Sequence, residues 1–454
     1  MTYVSAEGNR RILLVYPPYE KPLMRQGLHY TSIPLGVGYL ASVLEASGFE
    51  VSVVDCNIRE SSPEGMAESI GELKPDIVGL TITSPGLRYA YKLISELREG
   101  GLTSTIRVAA GGPHVTADPG ASTCLGADLY FTGESEYAFR DYCVSRRENA
   151  GRNNIIESGL IGDLDCLPYP ARHLFNGGSY RFTPVAASRG CPFNCGYCGI
   201  SGTQYRKRSI ANVRGEIEHL ASFNTRSVDF TDDIFTLDRP YARGVAEVMG
   251  EYGMGWSCTT RADLVDGGIL EHLADNECRH ISFGVETGVE RIRYRMGKKV
   301  PDSRYQNAFK SCRDAGIRTR AYAMLGFPGE TLEDVHRTFD FVNGLGADEV
   351  LYSPTIIYPN TWLMKAAVEE GKTGSDAWVR YMRGEGGIPY YLPEGLSLEE
   401  VNALIYEEGK RFYLNPKRIL ARMRDAQSLD DIADSFKALA VWMVGAINKQ
   451  TRTK

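Results

Sequence analysis

The sequence predicts an α/β fold in three parts: an N-terminal Rossmann-like doubly wound domain, a partial (β/α)6 barrel, and a helical C-terminal segment. Three observations carry this. Val-, Ile- and Leu-rich runs alternate with helix-length stretches through the first 145 of 454 residues. A second alternation starts near residue 180 and supplies six more units. Beyond residue 361 the strand-like runs give way to helical periodicity. Strands separated by helices of about 10–15 residues mean βαβ units and parallel sheets.

In the first domain, 1–145, strands are expected at RILLVYPP (11–18), EVSVVDCN (50–57), DIVGLTIT (76–83), RVAAGGP (107–113) and ADLYFTGE (127–134). GVGYLASVLEASG (36–48) and LRYAYKLISELREGG (87–101) are the clearest helices between them. Ligands of such domains lie beyond the carboxyl ends of the strands, where YPPYE, TSPG, GGPHVT and TGESE fall. The polar stretch SRRENAGRNNIIESG (145–159) reads as a linker or a small hairpin and opens the linker region 146–179, which ends with the Pro-punctuated LDCLPYPARHLF (164–175).

Within 180–361 the barrel strands are read at RFTPVAASRG, SVDFTDD, GWSCTTRAD, HISFGVETG, RTRAYAMLGFPGE and EVLYSPTIIYP. VRGEIEHLASF (213–223) and DSRYQNAFKSCRDAG (302–316) are amphipathic helices between them. Barrel chemistry belongs at the carboxyl ends of the strands. The last segment, 362–454, contains SLEEVNALIYEEGKRFYL and DDIADSFKALAVWMVGAI, helices expected to cap the barrel or pack on it.

Hydrophobic residues at 43% and charged residues at 24% are ordinary for a soluble enzyme with real cores. A net charge of −6 excludes a nucleic-acid surface built on bulk positive charge and suits a cationic substrate. No apolar run approaches the length of a membrane span, and MTYVSAEGNRR has no signal-like apolar region. A cytoplasmic chain without nucleic-acid or membrane partners is expected.

Three of the ten cysteines crowd into RGCPFNCGYCGI as Cys191-x3-Cys195-x2-Cys198. In a reducing compartment such a cluster reads as a metal or redox site. Three thiolates at this spacing can each ligate a different iron of a 4Fe–4S cluster, which leaves the fourth iron open. Structural zinc wants four protein ligands, and none follows at finger spacing; the nearest later histidine, His219, lies on a predicted helix.

The stretch SRGCPFNCGYC, with Arg189-Gly190, Pro192 and Tyr197, resembles the cysteine loop of the radical S-adenosylmethionine (SAM) superfamily. The resemblance implies that the amino and carboxylate groups of SAM chelate the open iron. It also implies that the reduced cluster cleaves SAM to a 5′-deoxyadenosyl radical, which takes hydrogen from an unactivated carbon. By the same resemblance Tyr197 is expected beside the adenine, and Glu286 of FGVETG on the ribose hydroxyls. Arg261 of TTRAD is the candidate partner for the methionine carboxylate, offering bidentate geometry. Gly326 of LGFPGET fits a cofactor-binding loop of the family, and a plain turn would use the same residues. Many members carry Gly-Gly-Glu after the second strand for the methionine amine, whereas this chain has DFTDDIF (229–235). Asp232 and Asp233 are therefore expected as the catalytic carboxylates, serving that amine or a cationic substrate.

The domain order resembles the cobalamin-binding-domain branch of the superfamily, through YPPYE, PLGVGYLASVLEASGFEV, DIVGLT, GGPHVT and ADLYFTGESEYAF. None of the seven histidines stands in the D-x-H-x-x-G motif that supplies a cobalt ligand in cobalamin mutases. The strongest sign of cobalamin is thus missing, without excluding it.

The preferred reading is radical dehydration and deoxygenation of an amino-sugar diol, from a resemblance in size to the radical diol dehydratases of aminoglycoside biosynthesis. The acidic group Asp229, Asp232 and Asp233 favours it, as a holder of ammonium groups. The alternative is a cobalamin-dependent radical SAM C-methyltransferase, and a third reading is a non-catalytic iron–sulfur or cobalamin-sensing protein. Expected partners are a polar, cationic small molecule and an electron donor, a flavodoxin or a dedicated reductase.

Overall fold

Two parallel sheets organise the chain in the computed structural model, which describes residues 10–19, 32–145, 154–175, 180, 182–416 and 418–419. The first sheet contains β1 (Arg11–Tyr16), β2 (Glu50–Asp55), β3 (Ile77–Thr81), β4 (Arg107–Gly111), β5 (Leu129–Thr132) and β6 (Asn154–Glu157). Their order is β2-β1-β3-β4-β5-β6, and every pair is parallel. Both faces are covered, so the strands read as near-continuous apolar runs. In β1, Ile12 and Leu14 enter one core with Val37, Leu44 and Phe139, while Leu13 and Val15 enter the other with Ile70 and Leu93. The direction of sheet growth reverses at β1, between β2 and β3, which is where doubly wound sheets open a crevice for ligands. The sixth strand corrects the expected linker: Asn154–Glu157 pairs with β5 at the edge of this sheet.

The chain then forms β7 (Pro184–Val185) and a separate antiparallel ribbon of β8 (Ser188–Arg189) and β9 (Arg206–Lys207). Next come β10 (Ser227–Phe230), β11 (Gly255–Thr260), β12 (Cys278–Glu286), β13 (Arg318–Leu325) and β14 (Glu349–Ile356). With β7 they make six neighbouring parallel strands, the expected partial barrel, and β15 (Tyr390–Tyr391) pairs antiparallel at the β14 edge. Alternation along β11 sends Trp256 and Cys258 into the core between sheet and helices, where Trp256 packs on Phe230 and Phe235. Helices Ile210–Ser222, Arg239–Glu251, Gly267–Asp275, Asp302–Asp314 and Leu332–Gly344 cover that face. Most start at a side-chain cap, such as the reciprocal Thr331–Asp334 capping box.

The C-terminal segment differs from expectation. Helix Leu398–Tyr413 does pack on the barrel, with the Tyr413 hydroxyl donating to the Val350 carbonyl at 2.8 Å. Helix Ala377–Arg383 instead packs on the first domain, where Trp378 and Tyr381 join the core containing Leu87 and Leu93. The Tyr381 hydroxyl donates to Pro85 O at 2.7 Å, and Trp378 Nε1 to Ile357 O at 2.9 Å. This strap holds the two sheets together. DDIADSFKALAVWMVGAI lies outside the described residues. Among the described residues no helix is long and apolar enough to cross a membrane.

Candidate active site

The cysteine loop spans the gap between β8 and β9, and its backbone is fastened at several points. Gly190 adopts a φ of +94°, and a Cβ there would lie 2.1 Å from the Gln204 carbonyl oxygen, so only glycine fits. The Cys191 N–H donates to Thr203 Oγ1 at 2.9 Å. Gly196 donates to Met296 O at 2.8 Å and accepts from the Leu363 N–H at 2.9 Å. Cys191 is buried, and Cys195 and Cys198 are half-buried. Burial pushes the free Cys198 thiol up to about 11. Among the described residues no three His, Cys, Asp or Glu side chains converge on one metal ion. Three thiols carried on one short loop, each able to hold a different iron, are the donor set of a 4Fe–4S cluster.

Asp232 and Asp233 hold the backbone at the entry to this loop, and Asp232 is too fully engaged for the catalytic part expected of it. Asp232 is 3% exposed and accepts the Ala187 N–H at 3.0 Å on one oxygen and the Ser188 hydroxyl on the other. Burial pushes its carboxyl up to about 6 against these hydrogen bonds. Asp233 accepts the Gly190 N–H at 2.9 Å. Asp229 accepts from Ser257. Asp232, with both oxygens engaged, pins the entry to the cysteine loop, while Asp229 and Asp233 each accept one donor of the fold and Asp233 still lines the cavity at the carboxyl ends of β3, β4 and β5.

The other expected residues surround the loop. Arg261 is held by Asp263 through Nε at 3.0 Å and Nη2 at 2.9 Å, and it stacks 3.8 Å over the Phe193 ring. Its Nη1 points to Cys195 Sγ at 3.9 Å. Glu286 ends β12 with a φ of +68° and pairs with Lys298 at 2.7 Å. Tyr197 packs edge-on against Phe327, with ring centroids 5.8 Å apart, in an apolar group with Ile357 and Leu363. Gly326 has a φ of +108°, and a Cβ would fall 1.8 Å from Tyr391 O; its N–H donates to buried Glu330.

A cavity of about 360 Å³ lies at the carboxyl ends of β3, β4 and β5. Its floor is made of small residues, Gly79, Ala109, Ala110, Gly111 and Gly112, which leave room above the sheet. Leu40, Phe131 and Phe139 supply apolar walls, and Glu134, Glu136, Ser188, Arg189 and Asp233 a polar rim. Large apolar walls with a few polar groups at the rim fit part of a bulky, flat cofactor. His114 of GGPHVT is buried away from this wall, with Nδ1 2.9 Å from Ser84 Oγ and its ring edge-on to Trp378.

Residues 185–342 match the model of the radical SAM superfamily, and residues 25–142 that of the B12 binding domain. An uncharacterized methyltransferase of Pyrococcus horikoshii is 27% identical over 90% of this chain and 94% of its own. The cytidylyl-2-hydroxyethylphosphonate methyltransferase of Streptomyces wedmorensis is 23% identical over 84% and 85%. The solved structure of the radical SAM methyltransferase TsrM from Kitasatospora setae matches with a TM-score of 0.68 at 18% identity, covering 90% of this chain and 92% of that one. This last likeness is one of fold. The chain therefore carries a B12-binding domain followed by a radical SAM domain, the arrangement of a cobalamin-dependent radical SAM enzyme. Its cofactors are a 4Fe–4S cluster and SAM, and the B12-binding match supports cobalamin more firmly than the missing D-x-H-x-x-G motif implied.

Sequence reasoning passed over several residues of the site. Lys298 is one of two adjacent lysines and Glu330 follows the turn-like GFPG, with nothing local to mark either as buried. Arg206 belongs to YRKRS, which reads as a short surface cluster, yet it pairs with Glu134 across the domains at 2.6 Å. Trp362, against Gly196, opens the segment read as a separate helical region.

Proposed function

We propose that the chain is a cobalamin-dependent radical SAM methyltransferase that methylates carbon in a small molecule. The observation that carries the reading is a shared wall. Ser188, Arg189 and Asp233, at the base of the cysteine loop, line the same cavity as Gly111, Gly112 and Glu134 of the first domain. A corrinoid seated there stands beside the cluster loop. The names of the relatives, both methyltransferases, support the same reading.

When bound, the cluster and SAM supply a carbon-centred radical, and cobalamin carries a methyl group. The chain's own residues bind and orient. Cys191, Cys195 and Cys198 hold three irons, Glu286 meets the ribose, and Tyr197 shields the adenine side of the loop. Arg261, tethered by Asp263 through Nε and Nη2, would offer the methionine carboxylate only Nη1, which now points to Cys195 Sγ. That is a single contact in place of the expected bidentate one. Gly326 brings the loop after β13 close to the site. An external electron donor, a flavodoxin or a dedicated reductase, serves the cluster. Dehydration of an amino-sugar diol has less support, since Asp232 is spent within the fold and the relatives are named methyltransferases. The expectation of a cationic substrate is weakened by the same engagement of Asp232.

The test is the cobalt content and visible spectrum of protein reconstituted anaerobically with cobalamin available. We expect stoichiometric corrin, and S-adenosylhomocysteine released alongside 5′-deoxyadenosine in turnover. Iron and sulfide without corrin, and 5′-deoxyadenosine as the sole SAM-derived nucleoside, would sink methyl transfer.

A further inference from the structure

At the mouth of the barrel lies a buried cation that neither the cluster nor the cavity accounts for. Lys298 is 5% exposed, and its Nζ donates to Gly284 O at 2.6 Å and to Glu286 Oε1 at 2.7 Å. We infer that Lys298 is a positioning residue that holds the Glu286 carboxylate in place to accept the ribose hydroxyls of SAM. The inference deepens, and rests on, the role proposed above for Glu286.

Four features of the fold converge on this pair. Glu286 adopts a left-handed backbone, φ +68°, a conformation that costs energy for any residue but glycine. The pairing of β12 with β13 shifts register between Gly284 and Glu286, which turns the Glu286 side chain out of the strand's alternation. At Gly284 a Cβ would lie 2.3 Å from Glu286 Oε1 and 2.7 Å from Lys298 Nζ, so a side chain there would push the tips of the ion pair out of their present place. The segment carrying Lys298 is itself anchored, since buried Arg293 donates to Thr287 O at 2.5 Å and to Val300 O at 3.2 Å.

An apolar side chain would fill the place of Lys298 without the penalty of burying an ammonium. Burial alone would lower the Lys298 ammonium, but the Glu286 carboxylate, with Tyr305 and Cys195 adding to it, outweighs burial and holds the group above its ordinary value. Lys298 takes Glu286 Oε1, while Oε2 has no hydrogen bond among the described residues and is left for a ligand. A carboxylate with one oxygen fixed and one open is oriented, and orientation is what a hydroxyl-binding acceptor needs.

The test is equilibrium dialysis of the reconstituted holoenzyme with SAM and with its 2′-deoxyribose counterpart. Wild type is expected to prefer SAM. Lys298→Met should bind SAM about ten- to hundredfold more weakly, the worth of a charge-assisted hydrogen bond, and lose most of that preference. Lys298→Arg should recover part of both, while iron content stays at the wild-type level in each variant. Gly284→Ala displaces the pair without removing its charge and should lose the same preference, which keeps the test decisive if Lys298→Met does not fold. Wild-type affinity and preference in Lys298→Met or in Gly284→Ala overturns the inference. Wild-type preference in Glu286→Ala overturns the reading of Glu286 itself, a separate failure, because Lys298 would then have no ribose contact to position.

Discussion

Arg189 Nη2 lies 2.9 Å from the Glu136 carboxylate, tying the residue two places before the first cysteine to the first domain. Its neighbour Glu134 accepts Arg206 Nη1 at 2.6 Å and Nη2 at 2.8 Å. Both arms of the ribbon that frames the cysteine loop, β8 through Arg189 and β9 through Arg206, are thus held by residues on the rim of the cavity. The loop and the cavity share one set of ion pairs.

If this clamp couples the two sites, Arg189→Met should lower iron and corrin content together after reconstitution. Glu136 would lose its cation while nearly buried, at a cost of about 1–3 kcal/mol. Loss of iron with full corrin occupancy would confine the clamp to the cysteine loop.

Asp232→Ala strips the partners from the buried Ala187 N–H and Ser188 hydroxyl. Each unpaired donor costs about 1–3 kcal/mol, so urea unfolding should show a clear loss of stability and iron should be poorly retained. A catalytic acid would behave differently: iron content would be normal and the pH–rate profile displaced.

Glu330 offers a test by pH. Burial pushes its carboxyl from 4.5 up to about 7, against hydrogen bonds from Gly326, Phe327 and Thr287. The folded state therefore holds a proton that the unfolded state has released, and this contribution to stability falls as pH rises from about 4.5 through 7. Glu330→Gln should flatten that part of the stability curve, measured by denaturant unfolding at fixed pH values. An unchanged slope would refute the assignment.

Gly36 lines the cavity, and a Cβ there meets nothing within 4 Å. Gly36→Ala, on a helix, should be tolerated and add up to about 1 kcal/mol. Gly36→Phe should fill the cavity, cutting corrin content while leaving iron unchanged. Full corrin loading in that variant would place the cofactor elsewhere.

Trp378→Ala removes the centre of the strap between C-terminal segment and first domain. A loss of about 3–5 kcal/mol is expected, as for a buried tryptophan, read from urea unfolding. A loss below about 1 kcal/mol would mean that the strap does not hold the sheets together.

Much of this was legible along the chain because it rests on local chemistry. The strand and helix pattern follows from periodicity, and six parallel barrel strands stand where the apolar runs lie. The triad Cys191, Cys195 and Cys198 announces itself because three ligands of one cluster must sit within one short loop. Glycines 190 and 326 occupy positions of positive φ that a motif can mark.

What the sequence alone left ambiguous concerned partners brought from afar. Asp232 and Asp233 look like an acidic cluster in the line of residues, and only folding sets Ala187, Ser188 and Gly190 over them as donors. NIIE is an apolar patch in a polar stretch until β5 offers it an edge to pair with, and the Ala377–Arg383 helix has two faces it could cover. Lys298 reads as one of two adjacent lysines, and Gly284 and Glu286 turn it into a buried ion pair. By itself the sequence determined the two parallel architectures and the cluster loop, since periodicity and ligand spacing are properties of neighbouring residues. Tertiary structure decided which charges are spent inside the fold and which face the cofactors, because burial and ion pairing are set by residues distant along the chain.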